Sequence, residues 1–183
     1  MPKAQEWLNK NYPRETRENI TRIKAENLQG SLRLENFPNL ESFKFCSCSK
    51  ITSLEIVNCP KLDFVDCSSS KITELNISGC PNLRILNCSN NLLTKLDLNQ
   101  NTNLKELYAC DNNFSQQGLN FLSHLINLER LELRNYEPER ISKGIYNRFA
   151  GSLEPLKNLT KLESLRIDNT DITNKSKKTD HFF

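Results

Sequence analysis

The side chains of this 183-residue chain that could carry chemistry are seven cysteines, two histidines, 22 carboxylates and 25 lysines and arginines. Cysteine spacing comes first, because thiolates at fixed intervals make zinc sites. Cys46 and Cys48 form a C-x-C, and Cys59/Cys67 and Cys80/Cys88 are two pairs of one spacing set 21 residues apart. A tetrahedral site needs four sulfurs converging on one point. A spacing that recurs along the chain separates them instead. Cys59, Cys67, Cys80 and Cys88 therefore read as buried thiols acting as small apolar side chains, and neither a metal nor a cofactor is expected. Cys46 and Cys110 fall at outward positions and are expected to be exposed and reactive. His124 and His181 stand far apart, and no Ser/His/Asp or Cys/His set shares a face. Reactive sets need convergence in one pocket, so no enzyme is expected. The remote alternative is a cleft in the irregular segment 135–152, lined by Arg140, Lys143, Tyr146 and Arg148.

The elements that position these residues are repeats. Segments starting at Leu40, Leu62, Leu83 and Leu104 read LESFKFCSCSKI, LDFVDCSSSKI, LRILNCSNNLL and LKELYACDNNF, and their starts lie 22, 21 and 21 residues apart. LERLELRNYEP and LESLRIDNTDI follow from Leu128 and Leu162, and a degenerate first copy starts at Ile20. About seven copies keep the register L-x-x-L-x-L-x-x-N/C. Alternation of period two makes each L-x-L core a short strand. Phe43 and Phe45, Val65 and Cys67, Leu86 and Cys88, Leu107 and Ala109, Leu131 and Leu133, Leu165 and Ile167 point inward. One strand per repeat, stacked at roughly 4.8 Å, builds a parallel sheet. Counts of 27 Leu against 2 Val follow from the narrow inside of such a coil.

These segments resemble leucine-rich repeats, over about residues 20–173. The Asn- and Cys-rich wording of LNCSNNLLTKLDL and GIYNRFAGSLEPLKNLTKLESL is similar to the large leucine-rich-repeat families of arbuscular mycorrhizal fungi; bacterial internalin-type repeats share the period. The resemblance implies non-catalytic recognition and brings no particular ligand. The expected fold is an α/β repeat solenoid, a leucine-rich-repeat coil with a parallel concave sheet and a convex side part extended and part helical. ITSLEIVNCP, ITELNISGCP and LTKLDLNQNT point to an extended convex side in the central section, while Leu119, Leu122, Leu125 and Leu128 have helical spacing. Residues 1–19 are expected to cap the first repeat through Trp7 and Leu8. Residues 20–173 hold the repeats, with an insertion at 135–152, and 174–183 form a polar tail.

The ninth repeat position expects a side chain that bonds backbone in the turn after each strand. Those slots are Cys48, Ser70, Asn91, Asn112, Tyr136 and Thr170, of which Asn91 and Asn112 fit well and Tyr136 breaks the pattern. Outward strand positions form the candidate ligand face: Phe64, Asp66, Ile85, Asn87, Tyr108, Arg130, Glu132, Arg134 and Arg166. An aromatic and apolar centre flanked by charge has the anatomy of a protein-binding patch, so the expected partner is a protein or peptide.

With Lys44, Glu106, Asp111 and Asp168, which stand in the same outward columns, the face holds four basic and five acidic residues, and it and the net charge of +3 lack the one-sided basicity that a phosphate backbone requires. No run of about eighteen apolar residues occurs, and the first residues lack an apolar leader segment. Neither nucleic acid nor membrane is expected as a partner. The odd number of cysteines points to reduced thiols and a cytoplasmic location, the nucleus being possible. An alternative role is an adaptor that docks, or self-associates, through an uncapped C-terminal edge. Oligomeric state is not legible.

Overall fold

The computed structural model describes residues 1–173. The tail expected at 174–183, with His181, lies outside the described residues. Helix α1 (Ala4–Asn11) buries Ala4 and Leu8, and Gln5 Oε1 accepts the Arg33 backbone N–H at 2.8 Å. A 3-10 turn (Arg14–Asn19) then carries the buried Arg17. A buried guanidinium must be hydrogen-bonded. Arg17 donates to the carbonyls of Tyr12 (3.1 Å) and Glu35 (2.8 Å) and stacks 4.9 Å from the Phe37 ring centroid.

From there the chain winds. The first turn holds β1 (Arg22–Glu26) on one side and β2 (Gln29–Glu35) on the other. The second holds β3 (Ser42–Cys46) and β4 (Lys50–Val57), and the third β5 (Phe64–Asp66) and β6 (Glu74–Asn76). Then come β7 (Ile85–Asn87), β8 (Glu106–Tyr108) and β9 (Arg130–Glu132). The insertion carries the short helix α2 (Pro138–Ser142). β10 (Ala150–Gly151), β11 (Ser164–Arg166) and β12 (Asp171–Ile172) complete the described chain. One strand per turn forms a seven-stranded parallel sheet, β1-β3-β5-β7-β8-β9-β11, which is the expected concave side. On the opposite side β2, β4 and β6 pair in parallel, so two of the three segments expected to be extended there carry strands, while residues 93–102 form none. The twelve residues expected to point inward from the seven-stranded sheet are all buried.

The leucines spaced by three behave differently from an α-helix. The backbone N–H groups of Leu122, Leu125 and Leu128 each bond the carbonyl of the leucine three before, at 2.9–3.0 Å. Leu156, Leu159 and Leu162 repeat the pattern one turn later. A spacing of three matches the 3.0 residues per turn of a 3-10 spiral rather than 3.6. The helical part of this side is thus short 3-10 turns, Asn120–Leu122 and Glu154–Leu156.

Side-chain amides join the turns. Asn91 Nδ2 donates to the carbonyls of Cys67 (2.9 Å) and Cys88 (3.1 Å), while its Oδ1 accepts the Ile72 N–H at 2.9 Å. Asn112 repeats this one turn on, to Cys88 (3.0 Å) and Ala109 (3.3 Å), accepting from Leu93 N–H at 3.1 Å. Cys48 Sγ reaches the Ala25 carbonyl at 3.3 Å, and Thr170 Oγ1 the Ile167 carbonyl at 2.6 Å. Ser70 Oγ is buried without a protein partner among the described residues, because its side chain is too short to span the turn.

Tyr136 does not occupy the fifth slot; it is exposed. Asn147, from within the segment 135–152, fills that slot, donating to the carbonyls of Ala109 (2.9 Å) and Leu133 (3.0 Å). The register of the turn therefore resumes at Asn147, and residues 136–146 loop out.

Two further uses of Asn account for much of its count of 24. Asn27, Asn36, Asn58, Asn90 and Asn169 hold left-handed backbone, with Ser47, Ser69 and Asp111 in the same conformation. Asn and Asp tolerate that region better than other side chains. Just before the leading Leu of four turns, Asn39, Asn82, Asn103 and Asn127 donate to the carbonyls of Glu18, Pro60, Pro81 and Thr102 at 2.7–3.2 Å. Gly79 has a separate constraint, since a Cβ there would lie 2.6 Å from the Ile56 carbonyl oxygen.

Asn147→Ala leaves the buried Leu133 carbonyl without its donor, while the Ala109 carbonyl keeps the Asn112 amide, and is expected to lower stability by about 1–3 kcal/mol. Tyr136→Ala removes only an exposed ring over Arg134 and should lower it by under about 1 kcal/mol. Denaturant midpoints of the two variants check this order.

Candidate functional site

Parallel pairing puts the outward residues of the seven-stranded sheet into two straight rows. The first reads Arg22, Ser42, Phe64, Ile85, Glu106, Arg130 and Ser164 across the strands. The second reads Lys24, Lys44, Asp66, Asn87, Tyr108, Glu132 and Arg166. Phe64 and Ile85 are direct neighbours and half-buried, which forms an apolar centre. Tyr108 lies one strand further and one row over, beside Asn87.

The charged groups of the face mostly engage one another. Lys24 Nζ lies 2.5 Å from Glu26, and Lys44 Nζ 2.7 Å from Asp66. Asp66 is buried rather than displayed, and its Oδ1 accepts both the hydroxyl (2.7 Å) and the N–H (3.2 Å) of Ser68. The hydrogen bond to Asp66, with its charge, raises the Lys44 pKa above the ordinary lysine value. Tyr108 Oη donates to Glu106 Oε2 at 2.6 Å and accepts from Arg130 Nη1 at 3.5 Å. Asn87 Oδ1 accepts the Ser89 N–H at 3.1 Å. Arg134 lies 3.9 Å from Glu132 and 3.7 Å from Asp168, and its guanidinium stacks 3.8 Å from the Tyr136 ring centroid.

The structure thus gathers Phe64, Asp66, Ile85, Asn87, Tyr108, Arg130, Glu132, Arg134 and Arg166 on one sheet face. It takes Asp66 and Asp111 out of the displayed set. Asp111 is buried in a left-handed turn, where its Oδ1 accepts the N–H groups of Tyr136 (2.7 Å) and Glu137 (3.1 Å). Desolvation raises its pKa above the ordinary Asp value. The sequence columns also stopped one strand short: Arg22 and Lys24 on β1 extend the two rows. The degenerate copy at Ile20 carried that signal.

Three of the four side chains suggested for a cleft in the insertion have structural partners, and Lys143 is exposed. Arg140 Nη2 donates to the carbonyls of Asn91 (2.5 Å) and Asp111 (2.9 Å). Arg148 Nη1 donates to Asn113 Oδ1 at 3.2 Å, Nη2 donates to the Gly144 carbonyl, and the guanidinium stacks over Tyr146. These contacts fasten the insertion to the coil. The cysteines are free thiols. Burial pushes Cys59 up to about 11 and Cys80 and Cys88 up to about 12, and raises Cys67 well above its ordinary value. Cys110 corrects the expectation of exposure: it is buried, and desolvation pushes its thiol up to about 12. Cys46 is half-exposed. Among the described residues no group of three or more His, Cys, Asp or Glu is placed to hold a metal ion, and no helix is long and apolar enough to cross a membrane.

Solved structures share this architecture. Internalin C2 from Listeria monocytogenes superposes with a TM-score of 0.60 at 20% identity, covering 88% of this chain and 67% of that one. The ectodomain of the Arabidopsis thaliana receptor kinase GASSHO1/SCHENGEN3, solved with Casparian strip integrity factor 2, gives 0.56 at 22% identity, covering 83% and 21%. The plant peptide hormone receptor RGFR1, solved with RGF2, gives 0.50 at 16% identity, covering 85% and 33%. No family model and no curated protein matches the sequence. The chain has the leucine-rich-repeat fold, built as a parallel solenoid of about seven turns. It spans about two thirds of the internalin's length, a fifth of the one receptor's and a third of the other's.

Thiol labelling checks the cysteine assignment. Only a thiolate reacts quickly, and buried high-pKa thiols stay inert. Native protein at about pH 8 is expected to take up one maleimide rapidly, at Cys46, and Cys46→Ser should abolish that fast phase while Cys110→Ser leaves it unchanged.

Proposed function

We propose that this protein is a non-catalytic recognition module whose ligand, a protein or peptide segment, lies on the concave seven-stranded sheet. The observation that carries this reading is the Phe64–Ile85 centre, half-exposed on the third and fourth of the seven strands, with Asn87, Tyr108, Arg130, Glu132, Arg134 and Arg166 on the same face toward the later strands. Apolar centres with polar rims are where binding energy concentrates. A sheet pinned by amide ladders presents its side chains already ordered, so little conformational entropy is lost on binding. Two receptors of the same fold are solved with CIF2 and RGF2 bound, which supports a peptide or protein partner here. The mixed charges of the face favour such a partner over nucleic acid, and the cytoplasm is the location this reading assigns.

A second reading has its own observation. A groove of about 460 Å³ at the last described turn is lined by Leu153, Leu156, Leu159, Leu162 and Leu165. Leu156 to Leu165 are 4–9% exposed, where Leu119, Leu122, Leu125 and Leu128 of the preceding turn are 0%. An adaptor would dock another chain on that edge. Light scattering separates the readings: mass rising with concentration supports edge docking, and a constant monomer mass excludes self-association.

Peptides selected from a random display library on the full chain test the main reading. Ile85→Ser and Phe64→Ala are expected to weaken the selected peptides by about tenfold or more, with unchanged circular dichroism. Peptides indifferent to both substitutions would contradict it.

A further inference from the structure

We infer that the segment recognised on the concave sheet is an acidic extended peptide, with carboxylates on both sides of an apolar centre. This rests on the concave-face reading above and adds the chemistry of the partner. It follows from which charges on the face are already matched. Every carboxylate there has a partner: Glu26 has Lys24, Asp66 has Lys44 and Ser68, Glu106 has the Tyr108 hydroxyl, and Glu132 and Asp168 share Arg134. The guanidinium groups are not matched in the same way. Arg22 and Arg166 are exposed and have no ion pair or hydrogen bond among the described residues. Arg130 is exposed and reaches only the Tyr108 hydroxyl, at 3.5 Å. The exposed groups left without an ion pair are therefore mainly guanidiniums; Glu106, hydrogen-bonded but not neutralised by Tyr108, is the half-buried exception.

The arrangement sets a spacing. Arg22, Phe64, Ile85 and Arg130 lie in one row, with Arg22 two strands before Phe64 and Arg130 two strands after Ile85. Strands about 4.8 Å apart put each arginine roughly 10 Å from the apolar pair. An extended peptide advances about 3.3 Å per residue, so a carboxylate about three residues from the apolar residue on either side meets a guanidinium. Glu106 stands between Ile85 and Arg130, keeps its charge under the Tyr108 hydroxyl, and excludes an acidic residue nearer than the Arg130 position. Arg166 sits one strand beyond Arg130, in the second row, and extends the positive end. A polyanion such as single-stranded nucleic acid would match the arginines, but the apolar pair and the interleaved carboxylates favour a peptide.

The test uses random 12-residue peptides displayed on phage and selected on the full chain, followed by synthetic copies of the winners in fluorescence polarisation. Winners are expected to carry Asp or Glu about three residues to either side of an apolar residue. Changing those acids to Lys should abolish binding. Arg22→Glu and Arg130→Glu should each weaken binding by roughly five- to thirtyfold, and a peptide with Lys at the matching end should recover affinity for the reversed protein. Winners that depend on Ile85 but carry no acids, or ignore both charge reversals, overturn the acidic partner and leave the concave-face reading standing. An absence of winners that depend on Ile85 overturns both. Tighter binding of a labelled 20-nucleotide oligo-dT with the same arginine dependence overturns the peptide assignment.

Discussion

Pairing of backbone carbonyls from one turn to the next is the constraint on which this molecule depends. A coil this thin has no thick core to shelter imperfect turns, and the inward strand ends bring buried carbonyls that water cannot reach. Asn91, Asn112 and Asn147 each join two adjacent turns by donating to a carbonyl on both. On the other side Asn101 ties its turn to the one before by donating to two carbonyls there, Ile77 and Cys80. The amide suits this task because one nitrogen carries two protons on a rigid plane. Where Cys48 substitutes, its thiol reaches the Ala25 and Cys46 carbonyls, and where Thr170 does, its hydroxyl bonds the Ile167 carbonyl. Strand register, the straightness of the outward rows and the spacing of any ligand contacts all follow from these clamps.

Most of the architecture was legible because it depends on periodicity. The inward stripe, the parallel sheet and the extended back of the central turns follow from alternation at period two and from the 21-residue spacing. What the sequence did not show depends on contacts across many residues. Tyr136 stands in the ninth position by counting, yet Asn147 takes the slot because a loop can leave and rejoin a coil wherever its amide reaches the same two carbonyls. Cys110 counts as outward, yet it is buried. Leucines three apart look helical on a wheel, but their spacing suits the tighter 3-10 geometry.

The candidate site was legible as a set of columns and less so as a set of states. The rows were recoverable from the repeat, including β1 had the degenerate first copy been counted. Which charges remain free was not, since that depends on distances such as Lys44 to Asp66 and Tyr108 to Glu106. A balanced count of acids and bases concealed a face whose unmatched groups are arginines. The insertion likewise looked like a possible pocket by composition, whereas Arg140 and Arg148 fasten it to the turns beneath.

The reading therefore rests on a rigid row of side chains, with Phe64 and Ile85 at its middle and arginines toward its ends. Backbone amide chemical shifts of nitrogen-15-labelled protein, titrated with a selected peptide, test it most directly. The account predicts that the largest shifts fall on β1, β5, β7, β8 and β9, at Arg22, Phe64, Ile85, Tyr108 and Arg130 and their neighbours. Shifts confined to β2, β4 and β6, or to the leucine-lined groove of residues 153–165, would contradict it.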